Sequence, residues 1–318
     1  MMEPNVNCLA IATEEGPFMP TEIGRLITAM VTPFDADGQV DYEQAKRLAS
    51  ALVDSGSDGL VVTGTTGEGP ALSMEEKARL YGEVKDAIGS RGAVIAGTSD
   101  NNTTASIELS REAEQVGADA LLLTVPAYNK PPQEGLFQHF RALAECTNLP
   151  GMLYNVPSRT SLNMTNDTTV RLSQIENIIG IKEASSDPVQ IAKVIRDTPD
   201  DFRVWSGNDD ETFPIMSMGG YGVVSVAAHL IGNQIKQMMG LILEGDVEAA
   251  GAEHLRLLDM FKGLFIVSNP IPVKYGLNTV GFDVGNPRLP LVPPDSRTAE
   301  QLDELLDRYD IDINAPAD

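Results

Sequence analysis

The sequence is poor in cysteine, histidine and basic residues. Its 318 residues include two cysteines and three histidines, and 23 Lys and Arg stand against 46 Asp and Glu, so the formal net charge is −23. Two cysteines are too few for a disulfide framework, which favours a reducing compartment. The negative charge excludes a nucleic-acid binder that works by neutralising phosphates, and it disfavours an anionic membrane surface as a partner.

Long hydrophobic runs are also missing. No run of about 18 apolar residues occurs, so the sequence predicts no membrane span. Residues 1–22 contain no Lys or Arg, and their longest apolar run, Cys8 to Ala12, is too short for a signal peptide. We therefore expect a cytoplasmic protein with a mobile extension over 1–22. The acidic excess is interpreted as a solvated surface or, alternatively, as salt adaptation, which would make activity and oligomer stability rise with added salt.

Eight short apolar runs recur along the chain, each rich in β-branched residues and bounded by Gly, Pro or Asn. They begin at Leu26, Gly59, Ala93, Ala120, Gly151, Ile179, Phe202 and Gly222. Such runs are typical of strands buried on both faces. The stretches between them are amphipathic and carry helix-start signals, such as Asp41 and a capping box formed by Ser73 and Glu76.

This alternation of strands and helices predicts an all-parallel sheet. The first strand ends in VTPFDADG, which lacks the glycine-rich phosphate turn of a doubly wound sheet. We therefore predict an α/β fold, a (β/α)8 TIM barrel over residues 23–245, followed by a C-terminal helical region over 246–318. Helices late in the chain are predicted near 232–244, 246–266 and 298–308.

Two candidate catalytic residues lie late in neighbouring strands, where barrel enzymes place their active sites. Lys182 is surrounded by apolar residues, and burial would lower its amine pKa and make it a Schiff-base nucleophile. The alternative is a lysine that extends to the rim or pairs with Glu183. Tyr154, one strand earlier, could relay protons to a carbinolamine or serve as a core aromatic.

Two further positions suit substrate binding. GTTGE at 64–68 places two hydroxyls between glycines, either around a small carboxylate or in an ordinary capped loop. Arg159 suits bidentate carboxylate recognition, or a surface ion pair. The histidines and cysteines share no metal-ligand spacing, so a zinc-dependent aldol mechanism lacks ligands, and no G-x-S-x-G turn supports a serine triad.

Four motifs occur in order along the chain: GTTGE at 64–68, YNVPSRT at 154–160, IKEA at 181–184 and NPIPVK at 269–274. Together they resemble the dihydrodipicolinate synthase family of class I pyruvate-dependent aldolases and lyases. The resemblance covers roughly residues 23–290. SRT after YNVP favours the synthase over the sister N-acetylneuraminate lyases and 2-keto-3-deoxy-sugar-acid aldolases, which usually carry other residues there.

The resemblance implies a role for each site residue. Lys182 would form a Schiff base with pyruvate, and Tyr154 would be the general acid and base. Thr65 would relay protons together with Tyr128, lent by a neighbouring subunit. The implied substrate-binding positions are Thr66 for the pyruvate carboxylate, Arg159 for the carboxylate of the aldehyde, and Gly207 and Val224 as walls near the lysine.

The implied reaction condenses pyruvate with L-aspartate 4-semialdehyde to 4-hydroxy-tetrahydrodipicolinate, on the route to diaminopimelate and lysine. It needs no metal or organic cofactor, because the Schiff base supplies the electron sink. The family also implies a homotetramer, a dimer of dimers, with no nucleic-acid or membrane partner. The alternatives are a sister lyase acting on a sugar acid and a catalytically inactive barrel, and the retention of all four catalytic residues argues against the second.

One region departs from the family pattern. Where members inhibited by lysine bind it, they typically carry a His or Glu after GTTGE, an Asn and a Glu after the third strand, and a Tyr before the relay tyrosine. The matching positions here are Gly69, Pro70, Met74, Lys77, Asn101, Ala105 and Ala127. Only Asn101 fits the pattern, so we expect lysine to inhibit weakly or not at all. Ala127 also removes an aromatic from the expected subunit interface, which would alter the tight dimer.

Overall fold

The computed structural model describes residues 23–314. The predicted extension over 1–22 and Cys8 lie outside the described residues. Within the described part, no helix is both long enough and apolar enough to span a membrane.

Eight parallel strands close into a barrel in which each strand pairs with the next and β8 pairs with β1. The strands are β1 (Leu26–Ala29), β2 (Gly59–Val62), β3 (Ala93–Gly97), β4 (Ala120–Thr124), β5 (Gly151–Asn155), β6 (Ile178–Glu183), β7 (Arg203–Ser206) and β8 (Gly222–Ser225). Each apolar run of the sequence forms one of them, and all strand residues except Thr124 and Arg203 are buried. The predicted (β/α)8 barrel is confirmed.

Helices connect the strands on the outside of the barrel. They are α1 (Tyr42–Asp54), α2 (Met74–Ile88), α3 (Thr103–Gln115), α4 (Gln133–Ala144), α5 (Pro157–Thr160), α6 (Asn166–Leu172), α7 (Pro188–Asp197), α8 (Thr212–Ser217) and α9 (Ala228–Glu244). The helix-start signals function as expected. The Asp41 side chain accepts a hydrogen bond from the Gln44 amide, and Ser73 and Glu76 form both halves of a capping box.

The side chains of successive strand residues point alternately into the barrel and out towards the helices. Ile27, Val61 and Trp205 belong to the interior cluster, which is separate from the larger core between strands and helices. Gly180 makes room for the indole, since a Cβ at this position would lie 2.6 Å from Trp205 Cζ3. The interior is therefore filled below the level of Lys182, and only the carboxyl end of the barrel is left for a site.

Three helices follow the barrel: α10 (Val247–Gly263), α11 (Ile271–Thr279) and α12 (Ser296–Leu306). The sequence indicated α10 and α12 but missed α11, because prolines at 270 and 272 are usually helix breakers. Pro272 lies in the first turn of α11, where its missing N–H needs no partner. The predicted start of α9 at 232 falls just after a kink at Ile231, which separates the first turn from the regular helix.

Candidate active site

A cavity of about 130 Å³ opens at the carboxyl end of the barrel. Six of the eight predicted site residues line it: Thr65, Thr66, Tyr154, Arg159, Lys182 and Gly207. The segment between α10 and α11 adds residues that the site prediction did not include, Phe265 and Asn269. The C-terminal region therefore forms part of the wall of the site.

Lys182 supplies a buried amine at the centre of this cavity. It is 6% exposed, and its Nζ lies 4.3 Å from the centroid of the Tyr154 ring, because the two residues are register partners on β5 and β6. Burial lowers the pKa of the amine to about 7, a shift that nearby Asp209 opposes and Arg159 reinforces. Near neutral pH a large fraction of Lys182 is consequently uncharged and nucleophilic.

The alternative partner for Lys182 is engaged elsewhere. The Glu183 carboxylate is fully buried and accepts hydrogen bonds from Asn155 Nδ2 at 3.1 Å and from the Ser185 amide at 2.8 Å. The amine and this carboxylate belong to consecutive residues of β6, whose side chains alternate between the two faces. Glu183 thus fixes the loops outside the barrel, while Lys182 faces the cavity.

Tyr154 carries a hydroxyl suited to donating a proton. Burial raises its pKa to about 12, and the Arg159 charge and a hydrogen bond with Thr65 reduce the shift. The phenol therefore stays protonated at neutral pH. Its contact with Thr65 supports the pairing expected for a proton relay.

Arg159 lies at the mouth of the cavity on the short helix α5. Among the described residues it makes no salt bridge, whereas eight of the fourteen arginines do. The surface ion pair that was the alternative interpretation is thus not formed within residues 23–314. The guanidinium is left available for an anionic ligand.

Three further positions were predicted to belong to the site, and the structure places each of them differently. Gly207 is required as glycine, since a Cβ there would lie 2.7 Å from the Cβ of Ala184. Val224 belongs to the interior cluster, and Val226, two residues further along the chain, lines the cavity in its place. Tyr128 does not reach this cavity: it is 90% exposed and has a φ of 71° in the loop between β4 and α4.

Asp209 was not predicted as a site residue, because it lies in a run of acidic residues that is typical of a solvent-exposed surface. It is 3% exposed, and its Oδ2 accepts hydrogen bonds from the amides of Val226 and Ala227, each at 3.1 Å. Its Oδ1 has no hydrogen-bond partner among residues 23–314. Asp209 therefore fixes the wall formed by Val226 and places a carboxyl group near Lys182.

A second cavity of about 420 Å³ adjoins the first, and Gly64, Thr65, Val156 and Arg159 line both. The second cavity also contains five of the seven positions compared with the family's lysine site: Gly69, Pro70, Lys77, Asn101 and Ala127. Lys77 makes no ion pair within the described part of the chain, and burial lowers the pKa of its amine while Asp100 opposes that shift.

The histidines take structural positions. His229 is fully buried in the first turn of α9, where its Nε2 accepts a hydrogen bond from the Val31 amide at 3.1 Å and its Nδ1 donates to the Val226 carbonyl at 2.9 Å. Within residues 23–314, no group of three or more His, Cys, Asp or Glu side chains is arranged to hold a metal ion.

Fold and site together define a (β/α)8-barrel enzyme with a buried lysine on its sixth strand that lines the cavity. The family model of the dihydrodipicolinate synthetase family matches residues 22–309, and the chain belongs to this family. It is 56% identical over 292 residues to 4-hydroxy-tetrahydrodipicolinate synthase of Dehalococcoides mccartyi strain CBDB1, covering 92% of this chain and 98% of that protein.

Solved structures agree with this assignment. The dihydrodipicolinate synthase of Bacillus anthracis is similar with a TM-score of 0.89 and 46% identity, over 91% of this chain and 99% of that one. The Cyanidioschyzon merolae enzyme with lysine bound gives a TM-score of 0.89 and 43% identity, over 90% and 98% of the two chains. The family and the enzyme class predicted from the sequence, a lyase of the 4-hydroxy-tetrahydrodipicolinate synthase type, are confirmed.

Proposed function

We propose that the chain condenses pyruvate with L-aspartate 4-semialdehyde through a Schiff base on Lys182. One observation carries the proposal: a buried amine with a pKa of about 7 lies 4.3 Å from the ring centroid of a tyrosine whose own pKa is raised to about 12. A nucleophile and a proton donor are thus available together at neutral pH.

The proposed steps follow from these two groups. The Lys182 amine attacks the pyruvate ketone, and Tyr154 donates the proton with which the oxygen leaves as water. Loss of a methyl proton from the iminium gives an enamine, whose carbon attacks the aldehyde. The amine of the second substrate then displaces Lys182 and closes the ring. The iminium is the electron sink, so the proposal includes no metal or organic cofactor.

Both substrates are anions, and the net charge of −23 repels them at long range. The site must therefore attract them locally. We assign the pyruvate carboxylate to Thr66, which is buried beside Lys182, and the carboxylate of the aldehyde to Arg159 at the mouth. Gly207 forms part of the wall of the same cavity.

The proposed assembly is a cytoplasmic homotetramer, a dimer of dimers, in which Tyr128 serves a neighbouring site. Two observations support this role: its side chain is 90% exposed, and Thr65 lines a second cavity of about 420 Å³ beside the catalytic one. A tyrosine from a second copy entering that cavity would meet Thr65 there, whereas Tyr154 lines the catalytic cavity. The hydroxyls of Tyr128, Thr65 and Tyr154 would then form one relay.

The decisive experiment treats the purified protein with pyruvate and borohydride and maps the reduced adduct by mass spectrometry. We expect the adduct on the Lys182 peptide, and we expect consumption of aspartate semialdehyde in a coupled assay. A protein that forms the adduct but cleaves keto-deoxy sugar acids instead would be a sister lyase. A protein that forms no adduct would be an inactive barrel.

Replacing Arg159 with alanine should selectively weaken binding of the second substrate, aspartate semialdehyde. We expect KM for aspartate semialdehyde to rise about 10- to 100-fold, because a charge-assisted hydrogen bond to a carboxylate is lost, while KM for pyruvate changes little. Steady-state kinetics with each substrate varied in turn measures this. Arg203→Ala, at the opposite end of the barrel, is the matched control. Equal increases in both KM values would contradict the assignment.

Lysine should bind poorly in the second cavity. The Lys77 ammonium repels the ammonium groups of a lysine ligand, and the cavity offers alanine at 127, where the family's lysine site typically has an aromatic. We expect no half-inhibition at sub-millimolar lysine and no calorimetric binding signal in that range. The Cyanidioschyzon merolae enzyme, crystallised with lysine bound, is the positive control for binding. Tight lysine binding to this chain would refute the prediction.

A further inference from the structure

The GTTGE loop, which carries Thr65 and Thr66, has a strained backbone. Thr63 and Glu68, on either side of these threonines, both adopt the left-handed conformation, with φ of 57° and 55°. This region is unfavourable for residues with a Cβ, and it persists where surrounding contacts enforce it. Contacts from outside the loop must therefore hold it in shape.

The first such contact is a buried ion pair between Lys274 of α11 and Glu68. The two side chains are 1% and 2% exposed, and Nζ lies 3.0 Å from Oε1. The ammonium also donates to the carbonyls of Thr32 at 2.9 Å and Asn286 at 3.2 Å, so all three of its protons are used. The other Glu68 oxygen accepts from the Arg288 amide at 2.8 Å. The pair thus joins four segments of the chain.

The second contact reaches the substrate site itself. Asn269, five residues before Lys274, is 5% exposed, lines the catalytic cavity and donates from Nδ2 to Thr66 Oγ1 at 2.9 Å. Because Oγ1 accepts this hydrogen bond, the single hydroxyl proton of Thr66 remains available for a ligand in the cavity. An anionic ligand is the natural acceptor for it.

We propose that Glu68, Lys274 and Asn269 are positioning residues that hold the GTTGE loop so that Thr66 donates to the carboxylate of the substrate bound on Lys182. This inference rests on the proposed function. Stability alone does not account for the pair, because apolar residues of similar volume commonly stabilise a core as well as a buried ion pair does. The pair supplies directional hydrogen bonds, and these fix a loop that would otherwise relax.

The test separates carboxylate recognition from Schiff-base formation. Borohydride trapping on Lys182 is measured with pyruvate and with acetone, a ketone without the carboxylate. In Asn269→Ala and in the double variant Glu68→Gln/Lys274→Met, we expect trapping of pyruvate to fall at least about tenfold and trapping of acetone to change less than about threefold. KM for pyruvate should rise more than kcat falls.

The choice of variants follows from the charges. Lys274→Met alone leaves Glu68 buried without its partner and is expected to destabilise the fold, so the double variant removes both charges together. Asn269→Asp should lose more pyruvate trapping than Asn269→Ala, because its carboxylate accepts the Thr66 proton and repels the substrate. Lys236→Met is the matched control, since Lys236 is half exposed and pairs with Asp58 at the amino end of the barrel.

Two outcomes would overturn the inference. Equal losses with pyruvate and acetone would show that the three residues only maintain the fold, and undiminished pyruvate trapping would show that they do not position Thr66. Failure of the proposed function appears differently, since the unmodified protein would then form no pyruvate adduct. Thermal denaturation of every variant verifies that the folded state is being compared.

Discussion

The Lys182→Ala variant is expected to form no borohydride-reducible adduct with pyruvate and to lose activity by about three orders of magnitude or more. The reason is that the covalent route through the amine is removed, while the rest of the cavity can still bind both substrates. Intact-mass spectrometry after reduction and a coupled assay with aspartate semialdehyde measure the two effects. An adduct that persists would identify another lysine as the nucleophile.

The pH dependence of trapping gives a second measure of the same group. Only the neutral amine attacks, so the trapping rate should rise with pH and level off above about 7, rather than near the ordinary lysine value of 10.5. A profile that still rises steeply above pH 9 would contradict the lowered pKa.

Replacing Lys182 should raise the stability of the fold while it removes activity. The folded state holds a less basic amine than the unfolded chain does, so burial of Lys182 disfavours folding increasingly as the pH falls from 10.5 towards 7. Each unit of difference between the two pKa values corresponds to about 1.4 kcal/mol. Lys182→Met removes this cost because methionine carries no ionisable group. We expect its Tm at neutral pH to match or exceed that of the unmodified protein, which would exclude unfolding as the cause of inactivity.

Tyr154→Phe is expected to reduce kcat by about 10²- to 10⁴-fold, the usual contribution of a general acid or base. The phenol is buried against Lys182 and keeps its proton at neutral pH, so its loss removes the donor for the leaving water. The ring itself is retained, and the packing around Lys182 should be preserved. Pre-steady-state trapping should show the adduct still forming, but slowly.

Thr65→Val provides the comparison for this prediction. This substitution removes the hydroxyl next to Tyr154 while keeping the shape of the side chain. If the two hydroxyls form a relay, Thr65→Val should slow the same steps as Tyr154→Phe. The double variant should be little worse than Tyr154→Phe alone, because members of one relay act as a unit. Fully multiplicative losses would show that the two hydroxyls work independently.

The barrel could be predicted because strands buried on both faces are continuous apolar runs. The proximity of Tyr154 and Lys182 could be predicted because both interrupt such runs near the carboxyl ends of neighbouring strands. These signals are local, so they can be recognised in a single sequence. Val224 and Val226 are two residues apart and belong to the same inward face, so they differ in depth: Val224 lies in the interior and Val226 lies nearer the mouth.

The rest of the site depends on tertiary packing that leaves no local signal. Asp209 and Asp210 are adjacent acidic residues, yet the first is buried under β8 and the second forms a surface salt bridge with Lys262. Phe265 and Asn269 reach the cavity only because α10 packs against α8 and α9, and α11 packs against α9. The motif NPIPVK pointed to the right segment, but not to the contacts of its asparagine and lysine.

Asn269 and Lys274 follow all eight strands in the sequence, and this order has a consequence for biosynthesis. A ribosome releases the chain from its amino end, so all eight strands and Lys182 are synthesised before these two residues. A barrel formed from the strands alone would therefore hold Lys182 while the GTTGE loop still lacked the contacts of Asn269 with Thr66 and of Lys274 with Glu68. Under the proposals above, recognition of the substrate carboxylate is therefore complete only after the carboxyl-terminal helices have folded, and the relay only after a neighbouring subunit has supplied Tyr128.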